Sequence, residues 1–174
     1  MRHALLSPRP TQLDREAFVA AYGGIYEHSP WIAEAVWDAG LDTRHDSPAG
    51  LAEAMAAVLD AAPAERQLTV IRAHPDLAGK VALAGGLTQA SSQEQAGAGL
   101  DQCTPDELAR FERLNADYQA RFGFPFVMAV KGYHRREILD AFELRLAHGP
   151  DEERRSAIAQ IHRIARLRLD AHAT

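Results

Sequence analysis

The sequence predicts an all-α protein, a compact single-domain bundle of about seven to eight helices over residues 1–174. Three observations predict it. Apolar residues recur at helical spacing in segment after segment, alternating strand patterns are absent, and Ser-Pro or Thr-Pro starts and Gly stops punctuate the chain. The 174 residues suffice for one sizeable core, whereas two domains would each be small. No internal repeat, low-complexity tract or linker interrupts them.

The first helix is expected from Thr11 to Tyr22, with Leu13, Phe18, Ala21 and Tyr22 at helical spacing and Asp14 and Glu16 where the helix dipole favours anions. Gly23-Gly24 ends it. Ser29 as N-cap and Pro30 at the first helical position start the second, whose stripe of Trp31, Ile32, Ala35, Val36 and Ala39 runs to Gly40. Ser47-Pro48 repeats that signal ahead of Leu51, Met55, Val58 and Leu59, and Pro63 opens a fourth helix. Pro75 disfavours α geometry in the residue before it, which places His74 at the end of that helix. Gly79, Gly85 and Gly86 then mark a mobile or tightly turned connection.

Helix restarts at Ser91-Ser92-Gln93-Glu94-Gln95. Thr104-Pro105-Asp106-Glu107 is a capping box for a helix carrying Leu108, Phe111, Leu114, Asn115 and Tyr118, which stops near Phe122-Gly123. FGFPFVMAV, aromatic, β-branched and broken by Pro125, reads as an extended apolar loop able to present backbone amides. Helix returns from Tyr133 to Ala147, and Pro150 starts the last one, with Ile158, Ile161, Ile164 and Ala165 as its buried stripe.

Composition narrows the function. Lys and Arg number 19 against 24 Asp and Glu, a net charge of −5 that gives no general attraction to nucleic acid or anionic lipid. The lone Cys103 cannot form an internal disulfide, which points to a reducing compartment. The apolar run before Ser7-Pro8 is too short for a signal-peptide core, no stretch is apolar for the ~18 residues that span a bilayer, and the last residues are not a peroxisomal Ser-Lys-Leu address. The expectation is a cytoplasmic protein with no membrane or nucleic-acid partner.

Candidate chemistry centres on Arg72–Gln95. His74 beside the rigid Pro75 could be a general acid or base, or could cap the carbonyls of its helix. Ser91-x-x-Glu94 has capping-box spacing, so Glu94 could equally reach back to a backbone amide; Ser91 and Gln95 would share that helix start, whose free amides suit an anion. No metal site is expected. There are eight histidines but no H-E-x-x-H or Cys cluster, and the H-x-x-E of His134–Glu137 encloses two arginines that would repel a cation. Phosphate-binding glycine motifs are absent as well. Arg163, Arg166 and Arg168 could bind a carboxylate or form a solvated face that complements the helix dipole, and Arg72 and Lys131 share that ambiguity.

Three segments taken together, RAHPDLAGK (72–80), LTQASSQEQAGAGL (87–100) and NADYQARFGFPFVMAVKG (115–132), resemble in order and spacing the 2-oxo-4-hydroxy-4-carboxy-5-ureidoimidazoline (OHCU) decarboxylases of urate degradation. The closing REILDAFELRL and IARLRL are similar too. The resemblance implies an all-α, homodimeric, cofactor-free carboxy-lyase that converts a small anionic substrate to (S)-allantoin and carbon dioxide. Matched motif by motif, it implies His74 and Glu94 as catalytic residues. It implies substrate contacts at Pro75, Ser91 and Gln95, and a pocket wall with backbone donors at Phe124, Phe126, Val127 and Met128.

Two other readings fit the residues. In one the chain is a non-catalytic helical binding module, with Ser91–Glu94 only a cap and FGFPF a docking patch. In the other the scaffold serves a lyase or hydrolase acting on a related ureido acid, since a fold does not fix a function.

Overall fold

The computed structural model describes residues 3–79 and 85–174. Among them are eight α-helices and no strand: α1 (Arg15–Tyr22), α2 (Trp31–Asp38), α3 (Pro48–Asp60), α4 (Ala64–Arg72), α5 (Gln89–Gly97), α6 (Pro105–Phe122), α7 (Arg135–Leu146) and α8 (Pro150–Asp170). An isolated bridge pairs Leu6 with Ala173. The all-α reading holds. The connection expected across Gly79–Gly86 lies largely outside the described residues.

Helix starts are decided by local chemistry, and four differ from expectation. Pro10–Gln12 is a short 3-10 turn, so α1 begins only at Arg15, with the Asp14 carboxylate accepting from the Ala17 amide. Ser29 is not a cap. Its hydroxyl donates to the Glu27 carbonyl, and Pro30 itself is the N-cap of α2. For α5 the N-cap is Thr88, whose hydroxyl accepts from the Ser91 amide at 3.2 Å. That choice adds a turn, puts Ser91 inside the helix, and removes Glu94 from capping-box position. His134 caps α7, which therefore starts at Arg135, and the H-x-x-E pattern is a reciprocal cap with Glu137.

The expected Thr104/Glu107 box does start α6, and Gly123 ends it in the left-handed region at φ 76°. Ser47 and Pro48 likewise start α3 as predicted.

The chain divides into two compact units, Met1–Ala73 with Ile161–Thr174, and His74–Gln160. The first packs Phe18, Tyr22, Ile32, Leu51, Met55, Leu59 and Ile71 as fully buried side chains. Its buried Arg168 pairs with Glu27 at 3.0 Å and donates to the Ile25 carbonyl at 3.3 Å. The second unit is aromatic at its centre. Tyr118 of α6 meets Phe122, Phe124, Phe126 and Phe142 within 6 Å, mostly tilted or edge-on, and Phe126 stacks on Phe142 of α7 at 4.0 Å. Such pairs contribute roughly 0.5–1.5 kcal/mol each beyond area burial. In α8 the buried stripe runs through Ala157, Ile161, Ile164 and Ala165, while Ile158 is half-buried.

Candidate active site

His74, Pro75, Ser91, Glu94, Gln95 and the Phe124–Met128 segment all fall in the second unit, whereas Arg72, Arg163, Arg166 and Arg168 fall in the first. His74 follows the end of α4 and is buried, 8% exposed, rather than protruding from a helix terminus. Pro75 is half-buried beside it. The chain then turns tightly enough to carry Ala78 into the left-handed region, at φ 51°. A side chain there costs about 1–2 kcal/mol, so surrounding contacts must hold the turn.

Two polar side chains do so. The Gln95 carboxamide accepts from the Ala78 amide at 3.0 Å and donates to the Asp76 carbonyl at 3.2 Å. From α6, Asn115 Nδ2 donates to the Leu77 carbonyl at 3.0 Å. Sequence periodicity placed Asn115 in the stripe of α6 without indicating a role; a buried amide in such a stripe, within the NADY motif, was the available signal.

Gln95 thereby brings α5 against the turn that carries His74. Ser91 lies one helical turn earlier on the same face, buried like Gln95, and Glu94 flanks them, half-buried. The imidazole-bearing turn and the Ser91/Glu94/Gln95 face of α5 are therefore neighbours. Nearby Asp76 titrates above the usual carboxylate range, because desolvation disfavours its charged form. The Ser91 amide, expected to be open to an anion, is taken by Thr88.

The FGFPF loop follows from the same helix. Asn115 and Tyr118 lie three residues apart on α6, so one face of that helix holds the His74 turn and, a turn further on, the aromatic anchor of the loop. The Phe124 and Phe126 rings are 3% and 1% exposed and belong to the core. What the loop offers a ligand is backbone. Among the described residues none accepts a hydrogen bond from the amides of Phe126, Val127 or Met128. Adjacent amides with no internal partner suit an oxygen bearing developing negative charge.

Arg163, Arg166 and Arg168 belong to the first unit, where Arg168 is committed to Glu27 and Arg166 to Asp170. A groove lined by Trp31, Glu34, Asp38 and Arg66 is also in that unit and contains none of the predicted site residues. No cluster of three or more His, Cys, Asp or Glu side chains able to hold a metal occurs among the described residues.

Fold and site together define an all-α protein that sets an imidazole turn beside a carboxylate-bearing helix, with a loop of backbone donors anchored on the next helix. Comparison with known proteins narrows that class. Residues 11–170 match the family model described as OHCU decarboxylase. The 2-oxo-4-hydroxy-4-carboxy-5-ureidoimidazoline decarboxylase of Haloferax volcanii is 42% identical over 167 residues, 96% of this chain and 95% of that one. A crystal structure of (S)-allantoin synthase superposes with a TM-score of 0.74 at 29% identity, over 95% of this chain and 52% of that chain. The fold is also that of an OHCU decarboxylase crystallised in the presence of (S)-allantoin, with a TM-score of 0.68 at 20% identity, over 91% of this chain and 97% of that one. The chain belongs to the OHCU decarboxylase family.

Proposed function

We propose that this protein decarboxylates 2-oxo-4-hydroxy-4-carboxy-5-ureidoimidazoline to (S)-allantoin and carbon dioxide, as a carboxy-lyase of urate degradation. The observation that carries the reading is family membership along nearly the whole chain. The turn bearing His74, clamped against the helix bearing Glu94, supports it.

The chemistry suits such a site. When the carboxylate leaves, its bonding electron pair stays on the ring carbon and is absorbed by the adjacent C=N bond, so the substrate contains its own electron sink. The protein's task is to orient the acid, handle protons and stabilise developing charge. In this reading His74 and Glu94 hold the substrate hydroxyl and share the proton inventory. Pro75, Ser91 and Gln95 contact the substrate, Gln95 through the lone pair and N–H left over from its two backbone bonds. The loop from Phe124 to Met128 supplies backbone donors to the ring oxygen. Protonation on one face sets the S configuration.

The proposal extends to one functional domain over residues 1–174, a homodimer in the cytoplasm; the family resemblance and the single cysteine support these points. Among the described residues no helix is long and apolar enough to cross a membrane. Generating the substrate in place with a urate oxidase tests the activity. The purified protein should accelerate decay of the ureidoimidazoline absorbance and yield optically active allantoin. An unchanged decay rate with racemic product would refute the reading.

A further inference from the structure

The FGFPF loop has no regular structure, yet its backbone is gripped from beneath. Arg145 of α7 donates Nη1 to the Val127 carbonyl at 2.5 Å, and its guanidinium lies over the Phe126 ring at 4.4 Å. On the far side of Met128, the Ala129 amide donates to Gln160 Oε1 at 3.0 Å. Arg145 is in turn fixed by Glu153, which is fully buried: Nε donates to Oε1 at 2.8 Å, and the Tyr118 hydroxyl donates to the same oxygen at 2.6 Å. His148 Nδ1 faces the other carboxylate oxygen at 3.1 Å.

Stability alone does not call for this arrangement. Replacing a buried ion pair by well-packed apolar side chains is often neutral or stabilising. Moreover, Arg145 Nη2 is buried with no acceptor among the described residues, so the guanidinium is not placed to satisfy all its own donors.

What the grip does fix is a peptide plane. The bond between Val127 and Met128 is trans, so its carbonyl and its N–H point in opposite directions. Holding the Val127 carbonyl toward Arg145 turns the Met128 N–H away from it, and no described residue accepts from that N–H. We propose that Arg145 is a positioning residue: by holding the Val127 carbonyl it aims the Met128 amide at the oxygen on which negative charge develops during decarboxylation. The inference rests on the reading of the loop amides as substrate donors. Glu153 sets the angle of the guanidinium and never meets the substrate.

Lysine at position 145 keeps the charge opposite Glu153 but has no fork with which to reach both Glu153 and Val127. Arg145→Lys is therefore expected to lower kcat by about 10- to 100-fold with KM changed by less than about 3-fold, because the aimed donor acts mainly in the transition state. Phe111→Leu, a change at a fully buried core position in the same unit, is the control for general destabilisation and should keep kcat within about 2-fold. Should Arg145→Lys fold poorly, Arg145→Met combined with Glu153→Gln removes both buried charges and is expected to show the same loss of kcat.

Nuclear magnetic resonance adds a readout that general destabilisation would not move. (S)-Allantoin should shift the Met128 amide resonance in the wild type and fail to do so in the variants. Variants with the kcat of Phe111→Leu, or with the Met128 shift retained, would overturn the positioning role while leaving the activity standing. A wild type that neither turns over the acid nor shows the shift would overturn both.

Discussion

Asn115 and Gln95 hold opposite ends of one peptide unit. The Leu77 carbonyl is taken by Asn115 of α6, and the Ala78 N–H of the same plane by Gln95 of α5. Because the two groups of a trans peptide point in opposite directions, two helices can clamp it between them. The turn that follows His74 and Pro75 is thereby fixed in a conformation that Ala78 would not otherwise adopt.

Gln95→Leu should loosen this clamp. It leaves the buried Ala78 amide and the Asp76 carbonyl without their side-chain partner, at about 1–3 kcal/mol for each group left unsatisfied. Urea unfolding should report the loss, and kcat should fall with it as the His74 turn shifts. Unchanged stability would show that the clamp is dispensable.

At Ala78 the usual order of residues is reversed. Ala78→Gly removes the steric penalty of a positive φ, roughly 1–2 kcal/mol, against roughly 0.4–1 kcal/mol of added unfolded-state entropy. The expected midpoint in urea is equal to or above that of the wild type. A loss of more than about 1 kcal/mol would contradict the left-handed geometry.

His74→Asn and Glu94→Gln keep side-chain size while removing proton transfer. Each should reduce turnover by about 10²- to 10⁴-fold with the fold intact by circular dichroism. Near-normal rates from folded variants would remove these residues from the mechanism.

Gly123 can be tested without the site. An added Cβ would meet nothing within 4 Å, so Gly123→Ala carries only the cost of φ 76°, about 1–2 kcal/mol. Thermal unfolding should shift down accordingly, with kcat unaffected. A midpoint equal to the wild type would show that the end of α6 does not need the left-handed cap.

Acid should expose the cap of α6. The Thr104 backbone amide, then the Arg135 guanidinium, hold the Glu107 carboxyl down to about 2, against an ordinary value of 4.5. A folded value below the unfolded one stabilises the native state above the unfolded value, and that contribution is lost as pH falls from 4.5 toward about 2. Glu107→Gln should therefore lower the melting temperature at pH 7, and the gap to the wild type should narrow as pH falls through this window. A gap that stays constant would refute the assignment.

The amino-acid order determined by itself whatever a few neighbouring residues can decide. Thr104-Pro105-Asp106-Glu107 starts α6 and Gly123 stops it, Ser47-Pro48 starts α3, and helical spacing fixed the all-α class. These signals are local hydrogen bonds and local sterics, complete within one helical turn. The motifs at His74, Ser91–Gln95 and FGFPF also sufficed to suggest the family.

Tertiary structure decided the rest, because the deciding partner lay far along the chain. Thr88 caps α5 locally, but the burial of its Ser91/Gln95 face was not legible, because Gln95 finds its partners at Ala78 and Asp76 on a separate turn. Nothing in Pro150-Asp151-Glu152-Glu153 distinguished Glu153, which is fully buried, from exposed Glu152; Tyr118 and Arg145 gave it a reason to be inside. A polar side chain enters a core when distant donors and acceptors converge to satisfy it, and that convergence exists only once the helices have packed.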